Sequence, residues 1–257
     1  MIEWFANNIL GMPELASKNG ESVDALIVYV HWLMLVLFIG WLCYFGYAVW
    51  RFQSKRNPKA DYEGVRNHAS SYIELAVAGI EAVLLIGVAI PVWAKTVNHP
   101  DPKDSTVIYV MGQQFNWNVR YAGPDGVFGR QDMKFIANNN VFGLDPADPA
   151  GKDDVQVCPA YEIHVPVNKS VIAYVSSKDV IHSFKVIAMR VTQDAIPGLR
   201  IPIHFTPTQE GRYQINCAQL CGNGHSGMSA GFMVVESQEA FNKWLGSKSP
   251  GPAASFE

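Results

Sequence analysis

The chain has 257 residues, 49% hydrophobic and 17% charged, with a formal net charge of −3. The charged share lies below the ~25% of an ordinary soluble domain, and 20 Lys and Arg against 23 Asp and Glu exclude a basic nucleic-acid binder. Seven Trp and thirteen Phe exclude a disordered chain, and four Cys are too few for a disulfide-built scaffold.

Residues 1–24 form an N-terminal segment whose single basic residue is Lys18. No basic start followed by an apolar stretch precedes the first span, so a cleavable signal is not expected. Ala25 to Trp50 contains no formal charge and only His31 as a clearly polar side chain. As a helix it would extend about 39 Å, more than the hydrocarbon core of a bilayer requires. A second apolar helix is expected over residues 71–93, interrupted by Glu74 and Glu81. Trp50, Tyr72 and Trp93 stand near the span ends, as interfacial aromatics do. The connecting loop, 51–70, holds Arg51, Lys55, Arg56, Lys59 and Arg66. The positive-inside rule puts that loop in the cytoplasm and both chain ends outside. Glu74 and Glu81, seven residues apart, share a helix face. A carboxylate facing lipid is costly, so both are expected against protein or a polar cavity.

After Lys95 short β-rich runs follow one another: Val107–Met111, Phe115–Tyr121, Tyr161–Val167, Val171–Ser176, His182–Ile187, Arg200–Thr206, Arg212–Asn216 and Gly231–Glu236. In Phe115–Tyr121 apolar residues recur with period two, as in a half-buried strand. Turn residues separate the runs, most plainly at Gly123–Gly126 and at Ile196-Pro-Gly198. The pattern predicts an antiparallel sandwich or barrel over 95–246. It also predicts a long loop over 137–160, a terminal helix from Ser237 to Leu245, and a flexible tail over 247–257.

One segment concentrates chemistry. Cys217-Ala-Gln-Leu-Cys221-Gly-Asn-Gly-His225-Ser-Gly-Met228 holds two thiols, an imidazole and a thioether in twelve residues. A Cys217–Cys221 disulfide and a zinc site are the competing readings, but neither uses Met228. Soft and borderline donors in this combination suit copper. The segment follows a strand, so its donors lie on a loop at one end of the sandwich. His182, thirty-five residues before Cys217 at the start of another strand, is the natural further donor.

Together these segments resemble subunit II of the haem–copper cytochrome c oxidases. The resemblance runs through the two apolar helices, Gly112-Gln-Gln114, Asp179-Val-Ile-His182, Asp194-Ala-Ile-Pro-Gly198 and the Cys217–Met228 loop. It implies a two-helix transmembrane hairpin followed by a cupredoxin-like Greek-key sandwich. It also implies a dinuclear copper A centre held by His182, Cys217, the Gln219 backbone carbonyl, Cys221, His225 and Met228. Cys217 and Cys221 would bridge both coppers. His182 and Met228 would complete one copper, and His225 with the carbonyl of residue 219 the other. Asp179 is the expected orienting partner of a ligand ring. The implied function is electron entry into a respiratory terminal oxidase, from a c-type cytochrome to haem in subunit I, where oxygen is reduced to water. The implied place is the bacterial inner membrane, with the copper domain on the periplasmic side. Two alternatives are the same role in another haem–copper enzyme, such as a nitric oxide reductase, and a membrane-anchored copper carrier. Two spans with intramembrane acids argue against the carrier.

Four departures qualify the resemblance. Gln219 replaces the family's usual Glu, so an interfacial magnesium loses a charged oxygen ligand while copper, bound through a carbonyl, does not. The electron-entry aromatics, usually Trp-Tyr-Trp, read Phe115-Asn-Trp117. Lys178 stands where an acid is common before Asp179, and residues 95–257 hold 14 Lys or Arg against 15 Asp or Glu. That is a weak attractor for a basic mobile cytochrome and suggests a dedicated or tethered donor. No Cys-x-x-Cys-His occurs, so the chain carries no fused c-type haem. Cys43 and Cys158 belong to no motif. Glu74, by its place near the start of the second helix, inherits the family's proton-path entrance, whereas Glu81 inherits no role.

Overall fold

The computed structural model describes residues 2–59, 62–64, 66–123 and 125–248. Pro124 of the expected 123–126 turn, and the expected tail from residue 249 onward, lie outside the described residues. Contacts divide the chain into one unit of residues 1–12 and 22–94 and a second of residues 13–21 and 95–257.

In the first unit, helix α1 (Ile2–Asn8) precedes helix α2 (Gly20–Phe52). Phe5 stacks on Trp32 with ring centroids 4.8 Å apart, and Phe5, Ala6 and Val28 form a small apolar cluster. Helix α2 starts five residues earlier than the apolar run, with Glu21 in its first turn, where an acid complements the helix dipole. Helix α3 (Ala69–Val97) also exceeds its apolar stretch, and its turns widen to π-type hydrogen bonding over Val83–Ala89. Both helices are long and apolar enough to cross a membrane, and their surfaces stay almost wholly exposed in the isolated chain. Apolar side chains left uncovered over such lengths need lipid or protein against them. His31 bonds back through Nδ1 to the Ile27 carbonyl at 2.8 Å, which satisfies one nitrogen of its ring within α2.

The second unit is a sandwich of two five-stranded sheets. One has the order β3-β2-β1-β5-β8, from strands Val155–Val157, Asn116–Tyr121, Thr106–Gln113, Val171–Ser177 and Ile201–Phe205. The other has the order β4-β10-β9-β6-β7, from Glu162–Pro166, Phe232–Glu236, Gly211–Cys217, His182–Val186 and Val191–Ala195. The inward faces meet in a core that includes Ile108, Val119, Ile163, Phe184, Phe205, Ile215 and Met233, all fully buried. This is the cupredoxin-like Greek-key arrangement. It is not wholly antiparallel: β1 runs parallel to β5, and β10 parallel to β4. Strands β3 and β7 were not expected, and β3 falls inside the expected 137–160 loop. The Ile196–Leu199 turn closes with a 3.1 Å hydrogen bond and Gly198 at φ +78°, the type II geometry that Pro-Gly favours. Helix α4 (Gln238–Gly246) starts where expected, capped by Ser237 Oγ accepting from the Ala240 N–H.

Residues 13–21 are built into this sandwich. Ala16 is fully buried, Ser17 Oγ donates to the Met189 carbonyl at 2.8 Å, and Arg190 donates to the Pro13 and Glu14 carbonyls. The sequence shows no period there, because the strap is held through backbone groups.

Candidate metal centre

Strand pairing brings the first two donors together. Phe184 of β6 is registered with Cys217 of β9. His182 stands two residues from Phe184, so alternation puts the His182 and Cys217 side chains on one face. Strand β9 ends at Cys217, and the chain turns through Cys221 into a 3-10 helix, His225–Ala230. Met228 is buried on that helix, while His225 is half-buried.

The donor atoms converge. Cys217 Sγ lies 3.9 Å from Cys221 Sγ, 4.0 Å from His182 Nδ1 and 3.1 Å from the Gln219 carbonyl oxygen. Cys221 Sγ lies 3.5 Å from His225 Nδ1 and 3.5 Å from Met228 Sδ. All six expected donors therefore meet in one place. The two sulfurs are far beyond the ~2.05 Å of a disulfide, and both thiols are free. Burial, with Cys217 beside it, pushes the Cys221 thiol up to about 11. A buried pair of thiols, a thioether and two imidazoles is a poor core filling but a coherent soft-donor set, so the residues fit copper better than zinc.

Outside the donors, Asp179 orients His182. Its Oδ1 accepts from His182 Nε2 at 2.8 Å, and its Oδ2 accepts from the Gln114 backbone N–H at 2.7 Å. Partial burial raises the carboxyl, but hydrogen bonds from Gln114, His182 and Val180 outweigh it and hold Asp179 below the usual range. An ionised carboxylate only accepts, so Nε2 carries the ring proton and Nδ1 turns its lone pair toward Cys217. Gly112 leaves room for this ring, since a Cβ there would come within 2.8 Å of it.

Trp117, registered with Gly112 across β1 and β2, is buried edge-on to His182 at 6.0 Å and to Phe184 at 5.1 Å. Its indole N–H has no hydrogen-bond partner among the described residues. Phe115 sits in the turn before β2 rather than in the strand, and is 37% exposed. Its ring packs on the glycines of the donor loop: a Cβ on Gly224 would overlap it, and one on Gly222 would reach within 3.0 Å. The Gln219 side chain is exposed, as is Leu220, while Lys178 is half-buried. Glu74 and Glu81 lie on α3, exposed in the isolated chain and away from the donors in sequence. Cys43 and Cys158 are exposed and unpaired. Gln114, read from the sequence only as part of a shared motif, also donates from Nε2 to the Cys221 carbonyl at 2.8 Å.

Comparisons with known proteins reach both the sandwich and the helices. The family model "Cytochrome C oxidase subunit II, periplasmic domain" matches residues 106–237. "Alternative cytochrome c oxidase subunit 2" of Bradyrhizobium diazoefficiens is 31% identical over 230 residues, 89% of this chain and 81% of that one. "Cytochrome c oxidase subunit 2" of Cereibacter sphaeroides is 29% identical over 253 residues, 92% of this chain and 82% of that one. Among solved structures, the periplasmic domain of subunit II of cytochrome oxidase of Bradyrhizobium japonicum is 28% identical, covering 59% of this chain and 95% of that one, with a TM-score of 0.41. With the domain model placed on the sandwich and the relatives aligned through both apolar helices, the chain belongs to the cytochrome c oxidase subunit II family, as a membrane-anchored subunit of a haem–copper oxidase with a periplasmic domain.

Proposed function

We propose that this chain is the electron-entry subunit of a respiratory oxidase in a bacterial inner membrane, taking electrons from a c-type cytochrome for haem in subunit I. The observation that carries the reading is the buried thiol pair at 3.9 Å with His182, His225, Met228 and the Gln219 carbonyl around it. Those six residues would hold a dinuclear copper centre, with Cys217 and Cys221 shared between the metals. When bound, such a centre supplies one-electron uptake and release with the charge delocalised over both metals. The chain's own residues supply the rigidity. His182 and Cys217 are fixed by strand register, Asp179 sets the ring of His182, and Trp117 backs that ring. Donors held on a rigid scaffold resist rearrangement when the charge changes. Phe115, exposed at the rim, and Trp117, buried behind His182, are the aromatic groups available to a docking donor. Gln219 offers a neutral amide to any interfacial magnesium, a poor ligand for a hard dication.

The test is metal analysis and EPR of the purified full chain. Two copper ions per chain with a delocalised mixed-valence signal are expected; stoichiometric zinc, or a native Cys217–Cys221 disulfide, contradicts the proposal. Met228→Leu is expected to keep both coppers but raise the potential by about 60 mV, a tenfold change in a one-electron equilibrium, because a weak thioether tunes more than it holds. Potentiometry of the loaded variant measures it.

The same reading assigns Glu74 to proton entry from the cytoplasmic side. In the assembled oxidase, Glu74→Gln is expected to slow steady-state turnover several-fold while reduction of the copper centre by donor stays normal. Unchanged turnover in an intact complex would leave Glu74 as an interfacial residue only.

A further inference from the structure

The donor set comes from two separate stretches of chain: His182 with Asp179 on one side, and Cys217 to Met228 on the other. Gln114, in the turn between β1 and β2, is bonded to both. Its backbone N–H donates to Asp179 Oδ2 at 2.7 Å, and Asp179 Oδ1 holds His182 Nε2 at 2.8 Å. Its side-chain Nε2 donates to the Cys221 carbonyl at 2.8 Å. The next residue, Phe115, lays its ring over Gly222 and Gly224.

The loop is shaped for this contact. Gly222 has φ +134°, a conformation that other residues rarely adopt. A Cβ there would come within 3.0 Å of both Gln114 Nε2 and the Phe115 ring. The Cys221 carbonyl accepts from Gln114 Nε2, so the Cys221–Gly222 peptide plane is oriented by the bond to Gln114. Main-chain and side-chain bonds of one residue thus set the separation between the imidazole and the second sulfur.

We propose that Gln114 is a positioning residue for the metal centre, clasping the His182 stretch and the Cys221 stretch in one register. The proposal rests on the reading of these residues as a copper site. Its own content is the role of a carboxamide that touches no metal. Partners of this kind, one bond removed from the donors, typically change metal affinity by about 10- to 100-fold when removed.

The experiment uses the full chain in detergent, both metal-free and copper-loaded, with Gln114→Ala, Gln114→Glu and, as a control, Gln113→Ala. Both Gln114 variants keep the backbone bond to Asp179, and both lose the donor to Cys221. In the metal-free chain, amide hydrogen exchange over residues 221–224 is expected to quicken several-fold in both. In the loaded chain, copper loss to a chelator is expected to be about tenfold faster, with an altered EPR hyperfine pattern. Gln113→Ala should match the wild type in every readout, and thermal unfolding of the metal-free chain should barely move. Wild-type exchange, wild-type copper loss and an unchanged hyperfine pattern in Gln114→Ala would overturn the role of Gln114 alone. A wild-type chain that takes up no copper would overturn the reading beneath it, and is distinguished by metal analysis before any variant is compared.

Discussion

Replacing either Cys217 or Cys221 by serine is expected to abolish the delocalised copper signal altogether rather than halve it. The two sulfurs lie 3.9 Å apart with an imidazole within reach of each: His182 Nδ1 at 4.0 Å from Cys217, and His225 Nδ1 at 3.5 Å from Cys221. On the proposed reading each thiolate would serve both metals, so losing one would remove a bridge and not a terminal ligand. A serine hydroxyl is a harder donor that stays protonated near neutral pH, and it cannot substitute for a soft thiolate. Metal analysis and EPR of the purified variants decide the matter. A retained mixed-valence signal in Cys217→Ser would show that the sulfurs are not shared. Beside the expected retention of copper in Met228→Leu, the pair of results separates donors that hold the centre from one that adjusts it.

The second large effect lies away from the donors. Arg120 on β2 and Asp154, just before β3, form an ion pair with both side chains fully buried. Arg120 also donates to the Gly129 carbonyl at 2.8 Å, and the Gly129 N–H donates to Asp154 Oδ2 at 3.0 Å. Rings of Phe128 and Tyr109 lie 5.1 and 5.7 Å from the guanidinium. The cluster ties the long 122–154 excursion back onto the strand that carries Trp117. Asp154→Ala leaves a buried guanidinium without its counter-charge, and is expected to cost about 3–5 kcal/mol of stability. The double replacement Arg120→Met with Asp154→Leu is expected to recover most of that loss, since desolvating the pair offsets much of its attraction. Unfolding of the full chain by denaturant, followed by tryptophan fluorescence, measures both. A loss below about 1 kcal/mol in Asp154→Ala, the range of an exposed pair, would mean that water reaches this site after rearrangement.

Much of this protein was legible in its sequence because its strongest signals are local. An uncharged run from Ala25 to Trp50 needs lipid or protein around it, and its length matches a bilayer, so the anchor was legible without tertiary information. Eight of the strands announced themselves through β-rich runs and turn residues, and Ser237 marked the start of the terminal helix. The donors between Cys217 and Met228 were readable because soft ligands packed into one short loop have few other uses.

What the sequence withheld is what folding decides between distant residues. Strand β7, Val191-Thr-Gln-Asp-Ala195, is mostly polar, and it is a strand because β6 pairs with it. Strand β3 has three residues and exists because β2 offers an edge. The parallel pairings of β1 with β5 and of β10 with β4 leave no mark on local periodicity, since alternation is the same in either direction. The strap at residues 13–21 is held by backbone groups and by Ala16 in the core, and backbone hydrogen bonding has no residue signature. Gln114 was visible as a letter in a motif, but its bonds to Asp179 and to the Cys221 carbonyl span 65 and 107 residues. Local patterning was enough for the two apolar helices, the sandwich and the soft-donor chemistry of the Cys217–Met228 loop. How His182 meets Cys217, and how Asp179 and Gln114 hold these stretches, came from folding, because those distances are set by strand register and loop packing across the domain.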